Sequence, residues 1–259
     1  MLGKFVSSVL QSKERILTGL FLIFCIGLLV SFHNLYLIWT FLGAIYLVSL
    51  NETIKLLNLE NRLITIVLGV TIWSSALVIE SVFDLLVFIS IFLASILAYN
   101  QKIKYINFLP LLYPSVPFLY LFWLYNSFGI QPIIWLVVVV AFCDTGAYFV
   151  GKSIGKTKFS STSPNKTLEG VIGGLIIGTL FGSIYAIGFL ELNIFIAIFI
   201  SLITAKFSIF GDLFESYLKR KADIKDSGSL LPGHGGVLDR VDSYLFAGVI
   251  MYIFLKASL

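Results

Sequence analysis

Four carboxylates near the C-terminal end are spaced for joint chemistry: Asp212 with Glu215, and Asp239 with Asp242, each pair three residues apart. On a helix that spacing puts both side chains of a pair on one face. Between the pairs runs a polar stretch, Lys225-Asp226-Ser227-Gly228 and then Leu231-Pro232-Gly233-His234-Gly235-Gly236. Its glycine amides can approach phosphate oxygens without side-chain obstruction. Lys219, Arg220 and Arg240 stand close by in the chain. Carboxylates, cations and open amides together suit a metal-bound polyphosphate. Hard oxygen donors favour magnesium, which uses one or two carboxylates plus substrate phosphates. The same spacing also suits a plain network of ion pairs in a polar loop. His234, set between glycines, fits a donor to phosphate better than a magnesium ligand.

Two upstream positions join this group. Asp144 lies late in an apolar run, and an ionisable residue in such a run points to a functional site. Lys166 follows Ser163-Pro164, which reads as a helix N-cap with proline at the first helical position. Capping accounts for the serine and proline but not for Lys166 or Glu169, and a lysine there can grip phosphate. One tempting motif is rejected. Gly146 to Ser153 matches the P-loop letters, yet Tyr148, Phe149 and Val150 are bulky, and no strand-turn-helix pattern surrounds them.

The elements that must position these residues are membrane helices. Of the 259 residues, 58% are hydrophobic and 12% charged. Soluble domains run at roughly 45–50% apolar and about 25% charged, so a lipid bilayer is the fitting solvent. About nine runs are long enough to span: 16–32, 35–50, 62–80, 82–99, 107–126, 130–150, 169–190, 192–211 and 236–256. Backbone groups in lipid must pair internally, so the fold class is all-α, a polytopic transmembrane helical bundle. Long continuous apolar runs exclude an outer-membrane barrel. Pro110, Pro114 and Pro117 predict a kinked or broken fifth span. Gly170, Gly174, Gly178 and Gly182, continued by Ala186, predict a packing face on the seventh. Cys25 and Cys143 show neither disulfide nor metal spacing.

Charge placement orients the bundle. With nine spans, all 18 Lys and Arg residues except Lys256 fall on one side. By the positive-inside rule that side is cytoplasmic, and so is the N-terminus. The polar connections 151–168 and 212–235 then share the cytoplasmic face. Spans 1–4, within 1–106, form an N-terminal helical region; spans 5–9, within 107–259, carry the chemistry. The net charge of +4 does not suggest nucleic acid.

Ser216 to Asp242 resembles the phosphatidate cytidylyltransferase family without departure: Ser-x-Leu-Lys-Arg, four residues, Lys-Asp-x-Gly, then Leu-Pro-x-His-Gly-Gly-x-x-Asp-Arg-x-Asp. Asp144-Thr-Gly-Ala-Tyr148 and Ser163-Pro-Asn-Lys166-Thr-Leu-Glu169-Gly170 resemble two further family blocks, in the right order. The resemblance implies CTP and phosphatidate as substrates, CDP-diacylglycerol and pyrophosphate as products, and a place in phospholipid biosynthesis. It implies a bacterial inner-membrane protein that works among membrane lipids, and it allows a homodimer. It implies a divalent ion, expected to be magnesium with room for a second cation, between Asp212 and Asp239. Glu215 and Asp242, one turn away, would support it. Asp144, Lys166 and Asp242 complete the catalytic set. Lys219, Arg220, Lys225, Asp226, His234, Gly235, Gly236 and Arg240 are the expected substrate-binding residues. A CTP-dependent lipid-alcohol kinase would release CDP instead. A transporter would place its charges near mid-membrane and show an inverted repeat.

Overall fold

The computed structural model describes residues 34–60, 62–79, 81–100, 105–231 and 235–258. The expected first span, 16–32, and His234 lie outside them. The described residues are helical throughout, with two isolated β-bridges in the connections. Among the described residues, six helical stretches are long and apolar enough to cross a membrane, and two shorter apolar helices accompany them. The polytopic helical bundle expected from hydropathy is therefore what the chain forms.

Polar residues at the breaks set the helix starts. Asn34 opens α1 (Leu35–Leu56), its side chain accepting from the N–H groups of Tyr36 and Leu37. The next two helices, α2 (Arg62–Ser75) and α3 (Val82–Tyr99), are the short ones, and Ser81 caps α3. The fifth span is broken, as its prolines require: a 3-10 turn at Tyr105–Phe108, a four-residue α4 (Leu109–Leu112), then α5 (Ser115–Phe128). Gly129, at φ +79, turns the chain into α6 (Ile130–Ile154). Then come α7 (Leu168–Leu190), α8 (Ile194–Lys221) and α9 (Leu238–Ser258).

Several boundaries differ from expectation: α1 runs on from 50 to Leu56 and so carries Glu52, α2 stops at Ser75 rather than 80, and three further differences bear on the site. α8 continues ten residues past the expected end at 211, because Gly211, Glu215 and Leu218 keep one buried face going. Asp212, Glu215 and Lys219 thus stand on a rigid helix, and the polar connection shrinks to 222–237. α6 runs on to Ile154, which places Asp144 well inside a helix rather than at its end. The stretch Gly146–Ser153 is helical too, which bears out rejection of the P-loop. Finally, Thr167 caps α7 through the Gly170 N–H, not Ser163. The chain first makes a short hairpin, with the Phe159 N–H donating to the Lys166 carbonyl and the Leu168 N–H to that of Thr157. Ser163-Pro164 sits in the turn of that hairpin.

The glycine row packs α7 onto α6. A Cβ built on Gly174 would stand 2.6 Å from the Cys143 carbonyl oxygen, and one on Gly178 would stand 2.9 Å from that of Val139. Backbones this close allow no larger residue. The core holds Trp123, Trp135, Tyr46, Phe118 and Phe122, all fully buried. Polar atoms inside it pair across helices. The Tyr46 and Ser115 hydroxyls bond at 2.8 Å and tie α1 to α5. The Trp135 indole donates to Ser201 at 3.1 Å and ties α6 to α8.

Candidate active site

The cavity at the polar end of α6, α7 and α8 has a volume of about 530 Å³. Asp144, Tyr148 and Lys152 line it from α6; Ser163, Asn165 and Lys166 from the hairpin; Asp212 from α8. The hairpin exists to deliver Lys166. Its Nζ pairs with Asp212 Oδ2 at 2.5 Å, with both side chains about a third exposed or less. Ser216, one turn on, donates to Asp212 Oδ1 at 3.3 Å. Glu169 anchors the hairpin at its base by accepting from the N–H groups of Lys156 and Thr157 and from the Thr157 hydroxyl.

A second group of charges lies where α8 meets α9. Lys219 pairs with Glu215, one turn back on its own helix, and with Asp239 Oδ1 at 2.6 Å. Glu215 is completely buried. Lys219 and Asp239 are its polar neighbours, and Lys219 supplies the positive charge beside it. Asp239 Oδ2 accepts from the N–H groups of Ser227, at 2.9 Å, and Gly236, at 2.7 Å. Asp242 is buried, one turn further along α9, within electrostatic reach of Asp212, Lys219 and Asp144. The helices close up here at Gly211, where an added Cβ would stand 2.4 Å from the Asp242 carbonyl oxygen. The two groups of charges are therefore one electrostatic unit built on α8.

Of the residues expected from sequence, the structure gathers Asp144, Lys166, Asp212, Glu215, Lys219, Asp239 and Asp242. Arg220, Lys225 and Asp226 are exposed at the margin, and Arg240 lies within electrostatic reach of Asp144. The glycine-rich turn differs from expectation in one respect. The Gly236 amide is committed to Asp239, and those of Val237 and Leu238 are committed to Glu52. Carboxylates of this chain, not open space, face those amides. Gly235, at φ +84, occupies the left-handed region that favours glycine.

Two residues of the site had no counterpart in the sequence reading. Glu52 on α1 is buried, only 4% exposed, and reaches the connection before α9. It lies two residues past the expected span 35–50, in the polar break Asn51-Glu52-Thr53, so no sequence signal set it apart. Tyr113, at the proline break, packs edge-on against Phe214 and Phe246. Its buried hydroxyl has no partner among the described residues and lies within electrostatic reach of Asp242, Glu215, Asp212 and Asp239.

The donor set is all oxygen, which fits a hard divalent ion. Among the described residues no three ligating side chains are close enough to hold an ion by themselves. An ion bound here would have to take one or two carboxylates and complete its shell with water and substrate phosphate.

Residues 13–258 match the cytidylyltransferase family. The chain is 42% identical over 245 residues to the phosphatidate cytidylyltransferase of Helicobacter pylori (strain ATCC 700392 / 26695), covering 95% of this chain and 92% of that protein. It is 45% identical over 132 residues to the Bacillus subtilis phosphatidate cytidylyltransferase, covering 50% of this chain and 49% of that protein. It is 48% identical over 118 residues to the chloroplastic phosphatidate cytidylyltransferase 4 of Arabidopsis thaliana, covering 45% of this chain and 30% of that protein. The chain belongs to the cytidylyltransferase family.

Proposed function

We propose that this membrane enzyme is a phosphatidate cytidylyltransferase that converts CTP and phosphatidate to CDP-diacylglycerol and pyrophosphate. One observation carries the reading beyond family membership. Lys166, from one family block, and Asp212, four residues ahead of the Ser216–Asp242 stretch, meet in a cavity at one polar end of a membrane bundle. A headgroup anchored in lipid and a soluble nucleotide must meet at such a boundary.

The chemistry needs positioning more than proton transfer. A phosphate oxygen of phosphatidate attacks the α-phosphorus of CTP. A new P–O bond forms as the bond from that phosphorus to the β-bridging oxygen breaks, and pyrophosphate leaves. The attacking phosphate carries most of its second charge at pH 7, since its second pKa is about 6. No strong base is therefore required. Lys166 supplies a cation at the cavity for the incoming phosphates, and Lys219 holds Asp239 and Glu215 in one orientation. Asp212 and Asp239 would hold magnesium, with Glu215 and Asp242 in support. When bound, the ion neutralises the charge that develops on pyrophosphate. Prepositioned charge of this kind accounts for most of the rate enhancement in such transfers.

The cavity end of the bundle is read as cytoplasmic, because the lysine-rich hairpin and the connection before α9 both lie there and CTP is a cytoplasmic solute. Single cysteines at Ser161 and Ser229 should react from the cytoplasmic side and one at Asn126 from the opposite side. Labelling of 161 and 229 from different sides would overturn this orientation.

The test of function is isotopic. Purified protein is given phosphatidate, magnesium and CTP labelled at either the α- or the γ-phosphorus. The α-label should enter the lipid and the γ-label should leave as pyrophosphate. A γ-label in the lipid with CDP released would make the enzyme a kinase instead.

A further inference from the structure

Glu52 is attached to the connection before α9 more firmly than its distance in sequence suggests. Its Oε2 accepts from the Leu238 N–H at 2.7 Å and from the Ser227 hydroxyl at 3.2 Å, and its Oε1 accepts from the Val237 N–H at 3.0 Å. The two amides open α9, where the helix dipole favours a negative charge. The glycines beside it are small because of it. A Cβ built on Gly228 would lie 2.4 Å from Glu52 Oε1, and one on Gly236 would lie 2.8 Å from Oε2. The carboxylate fills the space a larger residue would need at Gly228, and at Gly236 it does so together with the Ser227 hydroxyl and the Gly228 backbone.

Ser227 makes this more than a helix cap. Its hydroxyl donates to Glu52 and its N–H donates to Asp239 Oδ2. Gly236 donates its N–H to the same Asp239 oxygen, and the next two amides go to Glu52. The strand of chain between the two carboxylates is thus held from both sides. Glu52 grips the outer side from α1, and Asp239 is fixed by the inner side. Movement of Glu52 would pass to Asp239 through one residue.

We propose that Glu52 is a positioning residue of the transfer reaction, an N-terminal side chain that sets the orientation of Asp239 through Ser227 and the Gly236–Leu238 amides. The proposal rests on the function read from the site. It gives α1 a part in catalysis although it carries none of the family blocks identified in the sequence. Glutamine at this position keeps the size but turns one acceptor into a donor facing an N–H group. Aspartate keeps both acceptors on a shorter stem.

Glu52→Gln should lower kcat at least about tenfold, with KM for CTP and for phosphatidate each within about threefold. Glu52→Asp should recover part of the loss. Hydrogen exchange in the 224–238 peptide should quicken in Glu52→Gln while peptides from α6 and α7 stay as in the wild type. Unchanged kcat per folded enzyme would overturn the proposal. So would faster exchange along all of α1 and α9 with kcat and both KM values shifting together, which is a fold merely loosened. If Glu52→Gln does not fold, Ser227→Ala takes its place. It removes the hydroxyl and leaves the N–H on Asp239, and it should lower kcat about threefold with the same local exchange; unchanged kcat there would also overturn the idea. The exchange arm needs no substrate. A wild type inert with CTP and phosphatidate would therefore sink the functional reading, while the exchange arm still decides whether Glu52 holds the connection.

Discussion

Two polar segments close the cavity end of the bundle, and they are anchored in opposite ways. The hairpin 155–167 hangs on Glu169, a surface side chain 12 or 13 residues from the groups it binds. The connection 222–237 hangs on Glu52, a buried side chain 175 to 186 residues away. A local, solvent-reached anchor can open without disturbing the rest of the fold. A buried, long-range one holds only while α1 is packed in place. On this contrast the hairpin, which carries Lys166, is the part expected to open first. The connection, which fixes Asp239, is the part that must not.

The sharpest way to break that contrast is Lys219→Met. It leaves Asp239 and the fully buried Glu215 without their shared cation. Removing one partner of a buried pair costs about 3–5 kcal/mol. Denaturation in detergent should show that loss of stability, and turnover should fall with it. A variant as stable as the wild type would mean the connection is held less rigidly than its contacts indicate.

A smaller effect is expected at Lys152, which lines the cavity from α6 and rests on Tyr148, 5.6 Å from the ring centroid. Lys152→Ala should keep kcat within about tenfold, roughly 1.4 kcal/mol of barrier. A loss of several orders of magnitude in folded protein would turn the Gly146–Ser153 face into a phosphate-binding element. The smallest effect belongs to the hairpin's anchor. Glu169→Gln should leave the unfolding midpoint where it is and change turnover by no more than about threefold. Hydrogen exchange should quicken across 155–167 and stay unchanged across 222–237. Equal quickening in both would erase the distinction between them.

The same contrast explains what the sequence could convey. Lys166, Asp212, Glu215, Asp239 and Asp242 were legible because their spacing is local and their residue types carry the chemistry. The broken fifth span was legible because proline acts on its own backbone. The end of α8 was not. Charges at 212–221 looked like a loop, while the buried face through Gly211, Glu215 and Leu218 kept the helix going. The start of α7 near 169 was legible, but its cap was misplaced because Ser163-Pro164 suits a cap or a turn equally well, and only the hairpin decides between them. Glu52 fell just past the expected span 35–50 and was not singled out, and nothing local names a partner some 180 positions away. Long-range partners of buried charges are set by packing, and packing is what a single sequence conveys least.

The central claim is that transfer occurs where Lys166 meets Asp212, and Asp212→Asn tests it most directly. The substitution keeps the size of the side chain and removes its charge. Purified variant, shown to be folded and inserted, should lose at least about a hundredfold in pyrophosphate release from CTP and phosphatidate, as expected when a charge-stabilising term is removed. Near-normal turnover with an unchanged magnesium dependence would contradict the account.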